Sequence, residues 1–408
     1  MIPQTVPEKS LRVVSGMRPT GPLHLGHWVG VLQNWVALQK QHDCYFFAAD
    51  WHALTTHYEH PGALADLTRE MACEWLAVGV DPERATLFIQ SGVPEHVELH
   101  LLLSMMTPLG WLERVPTYKE QQEALADRDL STYGFLGYPV LMTADVLAYR
   151  ARLVPVGQDQ VAHLEVTREI ARRFNFLYGR GPVFDHLLAE ARGRFKPDLR
   201  KKWDQLVEGY RESGTASSWG SLESVLGDVP DLTSEERGAL YAEVRGTGRE
   251  ILPEPQPLLT PGAKLPGTDG RKMSKSYGNA IGLRDPEPVV REKIRTMVTD
   301  PARVRRSDPG DPERCPVWKY HETFSTASTR EWVQAGCRSA GIGCLDCKER
   351  LLGHLGEALG PVRERIEHWH NHPRDVEEIL QSGCTKAGRE AHQTLAEVRA
   401  AVGLAERR

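Results

Sequence analysis

Cysteine is scarce in this chain, with seven in 408 residues, and the count is odd. A disulfide-framed secreted scaffold is excluded, so the thiols are either buried or bound to metal. Long apolar runs are missing as well. No stretch reaches the roughly 18 apolar residues of a membrane-spanning helix, and the opening MIPQTVPEKS has no apolar core of a signal peptide. The expected setting is therefore cytoplasmic, with no membrane partner. Neither charge dominates: 50 Lys and Arg stand against 55 Asp and Glu, a net of −5. That excludes a uniformly basic surface and leaves room for a local phosphate-binding patch. With 40 % hydrophobic residues, the chain is long enough for two or three domains with a sizeable core.

What is present is alternation. Short β-rich runs, Leu11–Ser15, Tyr45–Ala49, Thr86–Gln90 and Leu153–Val156, are separated by segments of helical spacing. The spacing predicts helices over Trp28–Gln39, Gly62–Val78, Glu95–Met106, Tyr138–Arg150 and Gln158–Phe174. This is the βαβ pattern of an α/β fold, a parallel sheet covered on both faces. In the last helix Leu164, Ala171 and Phe174 share one face, opposite Glu165, Glu169, Arg172 and Arg173, with Arg168 at the border. From about residue 183 to 253 the character changes: RGRFKPDLRKKWDQLVEGYRESG is basic and helical, GTASSWGS is loop-like, and PEPQP closes the region like a linker. The expected division is a first catalytic part over 1–182, an insertion over 183–253, a return to the catalytic domain over 254–290, and a helical domain over 291–408.

Two segments carry chemistry. In SGMRPTGPLHLGHWVG a strand enters a loop with Gly16, Gly21 and Gly26, and a helix starts near His27. Glycines permit close backbone approach and a helix start offers unpaired N–H groups, so phosphate is a suitable ligand, with His24 and His27 as donors. A Gly/Pro-rich turn with two surface histidines is the plainer alternative. In GRKMSKSYGN, Lys272 and Lys275 flank Ser274 in a short glycine-bounded loop able to close over a triphosphate and stabilise departing pyrophosphate; its plainer alternative is a solvated basic loop. Four other cysteines form a set: Cys315, then Cys337 after twenty-one residues, Cys344 after six and Cys347 after two. Four thiolates with a CxxC pair suit Zn²⁺ or an iron–sulfur cluster, and ligand type leaves the choice open. Cys44 and Cys73, in a strand and a helix, read as core thiols. The HWHNH run, His368–His372, alternates its histidines and cannot place all three on one helical face, so it is not read as a metal site.

PLHLGH and KMSKS resemble the two signatures of the class I aminoacyl-tRNA synthetases. The stretches SGMRPTG, ADWHALTTHY, ERATLFIQSGV, YPVLMTADVLAY and VPVGQDQVAHLEVTREIARRF are similar to the tryptophanyl family in particular. The resemblance implies a Rossmann-type doubly wound parallel sheet with a helical, anticodon-binding C-terminal domain, and it implies ATP-dependent attachment of L-tryptophan to tRNA(Trp) through a tryptophanyl-adenylate, with Mg²⁺ on the phosphates, in a homodimer. Arg18, Pro19, Thr20, Gly26 and His27 would line the ATP site, with His24 and His27 on the phosphates. Gly157, Gln158 and Asp159 would hold adenosine, and Lys272, Met273, Ser274, Lys275 and Ser276 would close on the triphosphate. His24, His27, Lys272 and Lys275 are thus the catalytic candidates. Asp145 would accept the indole N–H, Tyr138 and Gln160 would take the ammonium and carboxylate, and Met142 and His52 would pack around the ring. The four cysteines, Cys315, Cys337, Cys344 and Cys347, resemble the subgroup with a C-terminal [4Fe–4S] cluster, with Zn²⁺ as the alternative. Arg18 stands where some members have glutamine, and Gln121 where some have a lysine. Other function classes are a non-catalytic relative that binds tryptophan or tRNA, against which both intact signatures argue, and a tyrosine-specific enzyme.

Overall fold

In the computed structural model, residues 11–115, 131–157, 160–213, 216–259 and 265–404 are described. Strands β1 (Arg12–Met17), β2 (Asp43–Ala48), β3 (Ala85–Ile89), β4 (Leu153–Val156) and β5 (Gln256–Leu259) form one sheet in the order β3-β2-β1-β4-β5. β2 pairs with β3 in parallel from Cys44↔Ala85 to Ala48↔Ile89, and β1 pairs with β4 in parallel at Val13↔Leu153. Every residue from Cys44 to Ala48 is buried, which is what a strand covered on both faces requires. The four expected strands are all found, with ends shifted by no more than two residues. β5 is a correction to the linker expected at PEPQP. Its Gln256 N–H donates to Arg152 O at 2.8 Å, and Pro257 is tolerated because β5 lies at the sheet edge.

The described chain forms two compact units, one built from residues up to Val14, Val93–Leu258 and Lys386 onward, the other from Ser15–Gly92 and Leu259–Thr385. In the first, helix Tyr138–Leu147 packs against Glu95–Ser104 and against Val161–Tyr178. The latter buries Leu164, Ala171 and Phe174 and exposes Glu165, Glu169, Arg172 and Arg173, as its periodicity predicts. Helices Pro182–Gly193, Pro197–Ser213, Ala216–Gly227 and Ser234–Arg245 close around their own core of Trp203, Leu222, Val225 and Leu226. Thr233 and Glu236 start the last of these with reciprocal side-chain-to-backbone bonds of 3.1 and 2.8 Å. Within the basic stretch, Arg192 pairs with Asp204 and Glu243 and Arg194 with Glu236. Those charges are spent on neighbouring helices.

In the second unit, helix Leu64–Ala77 packs against the long helix Cys344–Asn371, beside Glu287–Thr296, Pro316–Phe324 and Ala327–Arg338. The helix expected over Trp28–Gln39 starts earlier, at Leu25, passes through a π-helical turn over Trp28–Leu32 and ends with Gln33–Leu38. His27 therefore lies inside the first turn and His24 immediately precedes it. Cys44 and Cys73 are core thiols, at 0 % and 2 % exposure. The rings of His368 and His372 lie 4.3 Å apart, tilted by 32°. Among the described residues no group of three or more His, Cys, Asp or Glu is arranged to hold a metal ion.

Candidate active site

The second unit joins the two signature segments. Backbone bonds from Leu25 N–H to Ile281 O at 2.9 Å and from Leu283 N–H to Leu23 O at 3.0 Å stitch PLHLGH to the chain just after KMSKS. An antiparallel bridge, His24↔Gly282, lies between them. The turn before them is supported from below by Glu74, whose Oε2 accepts the Leu23 N–H at 2.9 Å and whose Oε1 faces Arg284 Nε at 2.9 Å. Burial raises Glu74 to about 7 against the opposing pull of Arg284 and of the Leu23 N–H. A glutamate inside MACEWLA, a helix segment otherwise buried and apolar, is the sequence signal that could have found it.

Gly21 has φ +128°, and a side chain there would meet Lys275, whose Nζ lies 3.1 Å from the position of a Cβ. The glycine is what lets the lysine lie over the turn. Lys275 keeps much of its surface exposed, yet desolvation of its ammonium lowers its pKa, with Glu74 pulling the other way. The rings of His24 and His27 stack at 3.7 Å, and the His24 N–H donates to His27 Nδ1 at 3.3 Å. Burial, then the neighbouring charges, lower His24 to about 4 and His27 to about 3. Both are neutral at pH 7, so each offers phosphate an N–H and not a full charge. Because His27 Nδ1 accepts, its proton sits on Nε2.

The lysine loop takes its shape from Asn279, which sequence reading missed. Its Oδ1 accepts the Ser274 N–H at 2.8 Å, and its Nδ2 donates to Asp269 Oδ1 at 2.8 Å and to Lys272 O at 3.1 Å. Asn279 and then Arg271 hold Asp269 down at about 2. Met273 is buried and its sulfur lies 3.6 Å from the Cβ position of Gly26, while Lys272 is exposed. Pro19 is buried, Thr20 is exposed, and the Thr20 N–H donates to Arg18 O at 2.9 Å. His52, also in this unit, is buried on helix Asp50–His57 with its N–H toward Gln90 Oε1 at 3.4 Å.

The first unit carries the other amino-acid residues. Tyr138, Met142 and Asp145 follow one another at intervals of four and three on helix Tyr138–Leu147, so they share one face. Asp145 is 1 % exposed, and its Oδ1 meets His96 Nδ1 at 2.6 Å. Gln160 begins the next helix; its N–H donates to Gly157 O at 3.0 Å and its Oε1 meets His163 Nδ1 at 2.9 Å. The His163 ring also lies 6.2 Å from that of Tyr138. Gln121, Gln158, Asp159 and the side chain of Ser276 lie outside the described residues.

In the cysteine set, burial first, then Cys315, Cys337 and Cys344 together, raise Cys347 to about 12. The four thiols therefore lie within electrostatic reach of one another. Arg303 Nη1 approaches Cys337 Sγ at 4.0 Å, and His321 Nε2, unforeseen from sequence, meets Cys347 Sγ at 3.2 Å.

Comparison with known proteins decides the family. The family model described as tRNA synthetases class I (W and Y) matches residues 6–196 and 238–360. A protein of Ralstonia nicotianae, called tryptophan–tRNA ligase, is 54 % identical over 393 residues, covering 96 % of this chain and 98 % of its own. The chain belongs to the bacterial tryptophanyl branch of the class I tRNA synthetases. A Thermotoga maritima protein of the same name is 44 % identical over 97 % of this chain and 99 % of its own. The tryptophanyl-tRNA synthetase of Campylobacter jejuni, solved with ADP and tryptophan, superposes with a TM-score of 0.73 at 28 % identity, covering 97 % of this chain and all of that one. The family model skips 197–237, yet the near-complete overlap with the Ralstonia synthetase leaves no room for that whole stretch to lack a counterpart there.

Proposed function

We infer that the chain is a tryptophan–tRNA ligase, which activates L-tryptophan with ATP and transfers it to tRNA(Trp). The observation that carries this is the 54 % identity, over nearly the full length of both chains, to a tryptophan–tRNA ligase. In the first step a tryptophan carboxylate oxygen attacks the α-phosphorus, the bond to the β-phosphate oxygen breaks, and pyrophosphate leaves. In the second a tRNA 2′-hydroxyl attacks the adenylate carbonyl, AMP departs and the hydroxyl proton is lost. No covalent enzyme intermediate is required, so catalysis is positioning and charge stabilisation.

The proposed roles follow the local chemistry. Lys275, over Gly21, and Lys272 would meet the charge that grows on pyrophosphate, and neutral His24 and His27 would donate N–H bonds to phosphate oxygens. Arg18, Pro19, Thr20, Gly26, Met273, Ser274 and Ser276 would complete the nucleotide site, with Gly157, Gln158 and Asp159 on the adenosine. Asp145 is the proposed acceptor of the indole N–H, Tyr138 and Gln160 the partners of the ammonium and carboxylate, and His52 and Met142 the packing around the ring. Mg²⁺, when bound, would neutralise phosphate charge. Exposed apolar residues at Val97, Leu101 and Met105, four apart and 47 %, 52 % and 73 % exposed, support a homodimer. The proposed setting is cytoplasmic.

For Cys315, Cys337, Cys344 and Cys347, whose side chains are not arranged to hold a metal ion in this structure, we propose a [4Fe–4S] cluster that braces the helical region, with Zn²⁺ as the alternative. Four thiols within electrostatic reach and cations at Arg303 and Lys348 suit an anionic thiolate group. Burial raises the pKa of Cys315, Cys337 and Cys347, so loading would release protons from them. Iron and sulfide analysis with a visible spectrum tests it: a colourless zinc protein overturns the cluster. For the activity, pyrophosphate exchange into ATP should depend on tryptophan; exchange with tyrosine alone, or none, would reject the reading.

A further inference from the structure

His96 opens helix Glu95–Ser104, and neither its sequence neighbourhood nor the proposed roles above give it a task. It is wholly buried between two groups of one neighbouring helical segment, Asp145 and Tyr149, which are 1 % and 0 % exposed. Its Nδ1 lies 2.6 Å from Asp145 Oδ1 and its Nε2 lies 2.5 Å from the Tyr149 hydroxyl. An ionised carboxylate has only acceptors, so Nδ1 carries the proton and donates. Nε2 is then left to accept from the Tyr149 O–H. The hydrogen bonds run one way, from tyrosine through imidazole to carboxylate, and fix both the tautomer and the rotation of the carboxyl plane.

A buried carboxylate chooses between ligands only if its lone pairs stay aimed. An acceptor free to turn toward another donor discriminates poorly between a ring that carries an N–H and one that does not. We propose that His96, oriented by Tyr149, is a positioning residue that holds the Asp145 carboxylate as the acceptor selecting a ring N–H in the amino-acid substrate. The proposal rests on the reading of Asp145 as the indole partner, and its test separates the two.

The full-length protein is assayed by pyrophosphate exchange with tryptophan and with β-(3-benzothienyl)alanine, an isostere in which sulfur replaces the N–H. The readout is the ratio of kcat/KM values for the two. Asp145→Asn tests the underlying reading and should collapse the ratio. His96→Leu should lower it by about ten- to a hundredfold, the range for a lost hydrogen bond to a charged group, through a higher KM for tryptophan with little change in kcat. His96→Asn, whose amide N–H can stand in for Nδ1–H, should keep most of the ratio, and Tyr149→Phe, which loses one hydroxyl and tests the relay should His96→Leu fail to fold, should lower it severalfold. If Asp145→Asn leaves the ratio intact, the reading and the proposal both fall. If Asp145→Asn collapses it while His96→Leu or Tyr149→Phe lowers both substrates equally or neither, only the proposal is overturned.

Discussion

The polar groups of the second unit's signature segments and those around Asp145 in the first unit are held in different ways. PLHLGH is a turn running into the first turn of a helix and KMSKS a loop ending in one short helical turn, with a lysine lying over a glycine at φ +128° and exposed for much of its surface. Asp145 and His96 stand on packed helices and are buried. A loop can follow a phosphate whose charge changes during the reaction, whereas a packed acceptor can hold one geometry and refuse others. The comparison predicts that damage to the loop appears in the rate and damage to the helices in substrate affinity.

The sharpest way to break it is Lys275→Ala. Losing a preorganised cation at a departing pyrophosphate should lower the exchange kcat by about 10²- to 10³-fold, with the KM for tryptophan within about twofold and melting unchanged. An equal rise in that KM would erase the distinction. Next comes the support beneath the loop. Glu74 ionises at about 7 in the fold, above its ordinary 4.5, so the folded chain keeps that proton longer than the unfolded one. Its contribution to stability is full below pH about 4.5 and is lost as the pH rises to about 7, on the order of 3 kcal/mol in all. His24 and His27 work in the opposite direction, since values lowered to about 4 and 3 from 6.5 remove stability as the pH falls below 6.5. Denaturant midpoints for Glu74→Gln against the parent, from pH 4.5 to 7.5, should show the first slope vanish and the second remain.

Sequence periodicity carried the fold well wherever burial is periodic. Val161–Tyr178 buries the face its apolar residues predict, and β1 to β4 lie where β-rich runs stand. β5 escaped because Pro257 in PEPQP signals a linker, a signal that an edge strand is free to ignore. The grouping of candidate residues was legible where one residue type does local work: Gly21, His24, His27 and Lys275 come together. Partners chosen by tertiary contact were not legible. Nothing local in GVPEHVE says that His96 meets Asp145, and nothing in SYGN says that Asn279 turns back on Ser274 and Asp269.

Asn279 offers a smaller test on the loop side. Asn279→Ala removes three hydrogen bonds that shape residues 269–279, and leaves the Ser274 N–H without that acceptor. At about 1 kcal/mol for each neutral hydrogen bond and about 1.5 to 3 kcal/mol for the one to the Asp269 carboxylate, the exchange kcat should fall roughly ten- to a hundredfold, again with a small change in the KM for tryptophan.

The mildest change probes the helical side. His163→Phe keeps a ring against Tyr138 but removes the partner at 2.9 Å from Gln160 Oε1. Gln160 is already fixed through its backbone to Gly157, so the change reaches only the one side-chain bond. One neutral hydrogen bond is worth about 1 kcal/mol, which corresponds to roughly a fivefold rise in the KM for tryptophan. The kcat should hold, because Gln160 would bind the amino acid alike before and during adenylation, and uniform binding alters affinity without altering the rate. Steady-state exchange across tryptophan concentrations separates the two parameters. A fall in kcat with KM unchanged would move Gln160 from the binding side of the comparison to the side of the loop.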